Sequence, residues 1–163
     1  MSKITKTTMI ATLIATVLVV GIIAASNGIT NSVLAQGEQK KFAAKLSGKD
    51  EVPPVDTAAT GMAQFQQSPD GKEINYDLTA TNLQGFMMAH IHQGKAGENG
   101  QPVAPLSMGK GKITSSDLQG PLSGKQLSDL VSLMSNGGAY VNVHTQQQQD
   151  GEIRGQITGA TSG

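Results

Sequence analysis

The sequence of 163 residues lacks cysteine and tryptophan and contains only two tyrosines and three phenylalanines. The absence of cysteine excludes disulfides, thiolate metal sites and cysteine nucleophiles. Lys plus Arg and Asp plus Glu each number 12, so the formal net charge is zero. Without a basic stripe or an aromatic platform, a nucleic-acid partner is not expected. The domain must therefore depend on an aliphatic core, helped by any metal ion that it binds.

The first 35 residues have the composition of an export signal. Lys3 and Lys6 precede an uncharged, mostly apolar run over residues 9–25, and Val33-Leu34-Ala35 has the small-residue pattern of a cleavage site. We expect residues 1–35 to be a signal peptide. The alternative is an uncleaved membrane anchor, because the run approaches the length of a span. Both interpretations predict that the domain is secreted, periplasmic or pseudoperiplasmic, or located at the cell surface. It would contact a membrane only through an uncleaved N-terminal segment.

The remaining chain has the length of one domain and many short strands. We expect a leader at residues 36–41, the domain at 42–159 and a tail at 160–163. Period-two alternation predicts strands at residues 41–47, 60–66, 73–80, 83–93, 102–106, 139–145 and 152–157. In the strand predicted at residues 60–66, we expect either Met62 or Ala63 to pack together with Phe65. The predicted class is mainly β, an antiparallel β-sandwich or open Greek-key barrel with one short helix.

That helix is predicted at about residues 123–136. Ser123 and Gln126 have the spacing of a capping box, and Gly137 supplies a C-terminal stop. The apolar residues recur at helical spacing and predict a stripe that packs onto the sheet: Leu127, Leu130, Val131 and Met134. At that spacing the methionine is interpreted as core filling and not as a ligand.

All three histidines fall in two strand motifs of matching parity. His90 and His92 are two residues apart and therefore share one face of a strand, while Ala89 and Ile91 face the other way. His144 lies on the polar face of the segment 139–145. If the two strands are neighbours, three imidazoles converge. Imidazole suits copper, zinc and nickel. The order of metal affinities favours copper, and zinc is possible. Three protein ligands leave one coordination position open.

Other residues of the same face are candidates to support this metal site. Asn142, Glu152 or a backbone carbonyl would fix the imidazole tautomers, and Tyr140 lies beside them. Met88 is a candidate axial ligand for Cu(I), but the favoured interpretation is core packing, because methionine readily fills gaps. For Glu152 and Arg154, the alternative interpretation is that they form a partly exposed ion pair.

A glycine-rich loop follows the histidine pair at residues 94–101. Such loops can cradle phosphate at a helix N-terminus, but this one leads into a strand-like segment. The favoured interpretation is a loop whose glycines let backbone pass close to a site.

The whole pattern resembles the CHRD domain, the module named after chordin. The matching segments are residues 42–66, with 46–54 in particular, and residues 89–94, 97–100, 139–145 and 151–157. In chordin these domains accompany cysteine-rich modules that bind growth factors, and in microbes they occur in exported proteins. Many relatives have a proline, and some a histidine, where Gln147 to Asp150 stand, so here that loop supplies no fourth imidazole.

The histidine motifs are also similar to the copper site of copper/zinc superoxide dismutases. That similarity implies a copper-only site, because the bridging histidine, the zinc-ligand cluster and the cysteine pair are missing. It also makes Arg154 a candidate for the arginine that guides the anion to the metal. Three hypotheses follow. The first is a copper-binding module without turnover, the second a redox enzyme of superoxide dismutase type. The third is an extracellular protein-interaction module whose histidines are structural.

Overall fold

The computed structural model describes residues 39–160, and the predicted export segment lies outside them. The strands are β1 (Lys41–Ser47), β2 (Thr60–Gln67), β3 (Ile74–Thr81), β4 (Phe86–Gln93), β5 (Pro102–Leu106), β6 (Gly109–Ile113), β7 (Ala139–Thr145), β8 (Ile153–Gln156) and β9 (Thr158–Gly159). The α-helix is α1 (Leu127–Ser135). Among the described residues, no helix combines the length and apolar character needed to span a membrane.

The strands form one rolled antiparallel sheet. Its order is β5-β4-β7-β8-β1-β2-β3-β6, and β9 pairs with β1. The two end strands, β5 and β6, are joined by only Ser107 and Met108, so the sheet is nearly closed into a barrel. The prediction of a β-sandwich or barrel with one helix is confirmed. In this order β4 and β7 are neighbours, which is the condition that the histidine hypothesis required.

The core is aliphatic and lies on one face of each strand. Inward-facing residues of β1, β4 and β7 alternate as predicted and are at most 3% exposed: Phe42, Ala44, Leu46, Ala89, Ile91, Ala139, Val141 and Val143. On β2 the packing residue is Ala63, whereas Met62 is 36% exposed. Because every one of these side chains points inward, the opposite face of β4 and β7 is free for polar residues.

The helix starts later than the predicted position 123. A short 3-10 turn at Gly120–Leu122 precedes Ser123, and Gly124 follows in a left-handed conformation at φ 72°. The predicted box of Ser123 and Gln126 is therefore wrong. Instead the Asp129 carboxylate accepts the backbone N–H of Gln126 at 2.9 Å. The predicted apolar stripe is buried, Met134 fully, and Gly137 ends the helix at φ 65°.

Two strand details differ from the prediction. The strand β6 was not expected, since its sequence of two glycines, two lysines and one isoleucine has no clear alternation. Gly111 is needed there because a Cβ would collide with the Tyr76 ring. At the C-terminal end, the strand predicted at 152–157 is found as β8 over 153–156, and the short strand β9 follows beyond the predicted range.

Candidate metal centre

Pairing of β4 with β7 brings the three histidines together. The register places Met88 opposite His144, His90 opposite Asn142 and His92 opposite Tyr140. The ring centroids are 5.7 Å apart for His90 and His92, 5.6 Å for His90 and His144, and 5.8 Å for His92 and His144. One nitrogen of each ring lies within 4.8 Å of the other two. The predicted convergence of the three imidazoles is confirmed.

Two of the rings are oriented by backbone carbonyls. His92 Nδ1 lies 2.9 Å from the oxygen of Gly100, and His144 Nδ1 lies 2.9 Å from the oxygen of Gln149. A carbonyl only accepts, so each Nδ1 carries the proton, and in a neutral imidazole Nε2 is then a bare lone pair. The sequence offered Asn142, Glu152 or a backbone carbonyl as the group that fixes the tautomer. In the structure a backbone carbonyl does so at both rings.

Three ring nitrogens are both buried and without a hydrogen-bond partner. They are Nδ1 of His90 and Nε2 of His92 and His144, and all three atoms are buried. A buried polar atom that is left unpaired costs about 1–3 kcal/mol. One ring nitrogen of each histidine lies within 4.8 Å of the other two. A metal ion bound among the three rings would satisfy all three unpaired atoms at once.

His90 and His92 are held in the neutral form that binds metals. Burial lowers the pKa of His92 to about 4, an effect opposed by its bond to Gly100 and reinforced by His144, His90 and Arg154. Burial also lowers the pKa of His90, with a smaller contribution from His144. A metal ion therefore meets little competition from protons at these rings near neutral pH.

Tyr140 and Arg154 stack beside the histidines. The Tyr140 ring lies 5.0 Å from that of His92 at an interplanar angle of 19°, and Arg154 Cζ is 3.4 Å from the Tyr140 centroid. Arg154 is only 2% exposed. Its guanidinium donates to Asn99 Oδ1 at 3.0 Å and to the carbonyls of Lys95 and Glu98 at 3.0 and 2.7 Å. The arginine thus fastens the loop 94–101, which we call the glycine loop.

The glycine loop lies directly against the site. Its Gly100 donates its N–H to the Tyr140 hydroxyl at 3.1 Å and accepts from His92. A Cβ at Gly100 would collide with the carbonyl of Gln93. The predicted close backbone approach is confirmed, and its consequence is that the loop supplies the carbonyl that orients His92.

The other residues predicted to support the site have different partners. Asn142 donates to the Asp150 carbonyl at 3.4 Å, and Glu152 accepts from the hydroxyls of Thr57 and Thr145, both at 2.7 Å. Within residues 39–160 neither side chain hydrogen-bonds to a histidine, and Glu152 forms no ion pair with Arg154.

Met88 lies on the histidine face and is 45% exposed. The favoured interpretation from the sequence, that its side chain packs in the core, is therefore wrong. Met88 shares its face with His90 and is the direct cross-strand neighbour of His144.

Glu51 is a residue of this polar face that sequence reasoning missed. Its side chain is 6% exposed, and Oε1 has no hydrogen-bond partner. Burial raises its pKa to about 7, opposed by the positive charge of Arg154 and by Asn142. The residue stands before two prolines in a loop, where no periodicity indicates which way a side chain points. Only the folded chain brings it near Arg154.

A family model described as the CHRD domain matches residues 42–157. In a comparison with curated proteins, no sequence matches this chain. The matched segment runs from β1 to the end of β8 and contains all three histidines.

Proposed function

The chain belongs to the CHRD domain family, and we propose that this member is an exported protein that binds one transition-metal ion, with copper favoured, through His90, His92 and His144. The observation that carries the proposal is the set of three buried ring nitrogens that have no hydrogen-bond partner, one from each histidine of a cluster whose nitrogens lie within 4.8 Å of one another.

The ligand set would be mixed. His90 would bind through Nδ1, whereas His92 and His144 would bind through Nε2, because their Nδ1 protons are engaged by carbonyls. Imidazole nitrogens suit copper and zinc, and the affinity order of divalent ions favours copper. Three neutral ligands from the chain leave a fourth position for another donor.

The interaction-module hypothesis gives the histidines a structural role. A structural histidine is expected to use both ring nitrogens or to leave the spare one in water. In this cluster each ring instead has one buried nitrogen without a partner. Metal binding accounts for all three, so it is preferred over a purely structural role.

The superoxide dismutase hypothesis relies on Arg154 as a guide for an anion. That guanidinium is 2% exposed and already donates to Asn99, Lys95 and Glu98. We therefore propose binding without turnover. A superoxide assay of the copper-loaded protein tests this part, and copper-dependent loss of superoxide that His92→Ala abolishes would contradict it.

Metal binding itself is tested by titrating the purified protein with Cu(II) and, separately, with Zn(II), and by measuring bound metal after gel filtration. We expect about one ion per chain and a raised melting temperature, since an ion that binds the native state stabilises it. The double variant His90→Ala/His144→Ala should lose both effects. Gln64→Ala, an exposed change on β2, is the control and should keep them. No binding in the wild type, with equal stability of the double variant, would overturn the proposal.

A further inference from the structure

We infer that the thioether of Met88 is the fourth ligand of the site and makes it a Cu(I) site in preference to Zn(II). The inference rests on the proposed function, because it adds one ligand to the three histidines and names the oxidation state that they serve.

The backbone places Met88 beside the histidine cluster. Ala89 and Ile91 are 1% and 0% exposed and point into the core, so Met88 points to the opposite face together with His90 and His92. Met88 and His144 are direct partners across the β4–β7 pair. Side chains in such positions have Cβ atoms about 4.5–5.5 Å apart. The methionine, with its three rotatable side-chain bonds, has the reach to bring its sulfur to an ion held by the rings.

Met88 does not belong to the core, so core packing does not compete with ligation. It is 45% exposed, although methionine is normally used to fill gaps in a core. Exposure alone does not make a site, and the neighbouring Met87 is exposed to 46%. What distinguishes Met88 is its position across from His144, whose Nε2 is one of the three unpartnered nitrogens.

The chemistry of the donors favours a monovalent soft ion. Thioether sulfur selects Cu(I), whereas zinc in proteins is bound by thiolate, imidazole and carboxylate. All four donors would be neutral. The cationic Arg154 lies over the Tyr140 ring, which in turn stacks on His92. A fixed positive charge near the site opposes a dication more strongly than a monocation, because the repulsion scales with the charge of the ion.

The test compares two neighbouring methionines. Met88→Leu removes the sulfur at the site, and Met87→Leu removes an equally exposed sulfur from the adjacent position, so the two variants form a matched pair. The full-length protein is titrated anaerobically with Cu(I) in competition with a chromophoric Cu(I) chelator, and separately with Zn(II). X-ray absorption at the copper edge then reports whether sulfur is bound.

We expect Met88→Leu to weaken Cu(I) binding at least about tenfold, the loss typical even for an outer partner of a metal site. Zn(II) affinity should change little, and the sulfur scatterer should disappear. Met87→Leu should behave like the wild type in all three measurements. Unchanged Cu(I) affinity and a retained sulfur signal in Met88→Leu, with metal still bound by the histidines, would overturn this inference alone. Absence of any metal binding by the wild type would overturn the proposed function as well.

Discussion

The polar face of β4, β7 and β8 holds two neighbouring clusters that differ in how completely their polar atoms are paired. The Arg154 cluster, formed by Arg154, Tyr140 and the glycine loop, uses its donors on Asn99 and on two loop carbonyls. The histidine cluster, formed by His90, His92 and His144, leaves one buried nitrogen per ring unpaired. Buried polar groups that are satisfied hold a structure together, whereas a group of unsatisfied ones directed at one point is what a ligand site requires.

The comparison also shows how one cluster serves the other. The Arg154 cluster fastens the loop whose Gly100 carbonyl fixes the tautomer of His92. Changes in the Arg154 cluster should therefore mainly affect stability, and changes in the histidine cluster should mainly affect metal binding.

Replacing Arg154 by Leu should destabilise the protein most, by about 3–5 kcal/mol, because it leaves buried loop carbonyls without donors. Urea unfolding measures the loss. Arg154→Lys keeps the charge but not the planar fork and should recover only part of it. Wild-type stability in Arg154→Leu would show that the cluster does not hold the loop.

Replacing Glu51 by Gln should stabilise the protein in a pH-dependent way. Its pKa is raised to about 7 in the folded state from 4.5, so the folded protein binds more protons and loses stability as the pH rises from about 4.5 to 7. The amide removes this penalty, and we expect a gain of about 1–2 kcal/mol at pH 8 and little at pH 4. Unfolding curves at both pH values measure it. An equal effect at both would contradict the assigned cause.

Replacing Tyr140 by Phe removes the hydroxyl that accepts from Gly100 N–H but keeps the ring between His92 and Arg154. The expected loss of stability is about 0.5–1.5 kcal/mol, the usual net value of one hydrogen bond. Metal affinity should fall severalfold, since the carbonyl that orients His92 is less firmly held. Thermal unfolding and Cu(II) titration of the same variant give both values. A loss of stability with unchanged metal affinity would show that the two clusters are independent.

Replacing His90 by Leu should have the smallest effect on the metal-free protein, less than about 0.5 kcal/mol. Its Nδ1 has no partner to lose, and burial already disfavours the charged ring. Unfolding in the presence of a chelator measures this, while metal titration of the same variant should show lost binding. A loss of stability as large as that of Arg154→Leu would mean that His90 is structural.

The histidine site was predictable from sequence because strand periodicity is a strong local rule. The alternation of Ala139, Val141 and Val143 with polar residues fixes the face of His144, and the same rule fixes the pair on β4. Only the pairing of β4 with β7 had to be assumed. The buried positions of β1 and of the helix stripe were predictable for the same reason.

What local patterns do not encode is which loop residues turn inward. Glu51 lies in a segment without periodicity, and its burial depends on contacts with residues about a hundred positions away, Asn142 and Arg154 among them. The helix start was misplaced because Asp129 competes with Ser123 as the capping group, and Gly124 interrupts the helical turn that Ser123 would have capped. Both errors arise where side-chain hydrogen bonds, and not hydrophobic periodicity, decide the structure.

NMR of the histidine side chains can show whether these three ring nitrogens bind one metal ion. Protein labelled with ¹⁵N is titrated with Zn(II) or anaerobically with Cu(I), both diamagnetic, and the ring nitrogens are followed through their long-range proton couplings. We expect Nδ1 of His90 and Nε2 of His92 and His144 to shift together up to one equivalent, while the Nδ1 protons of His92 and His144 stay in place. Ring nitrogens that do not respond, or binding that displaces those two Nδ1 protons, would contradict the account.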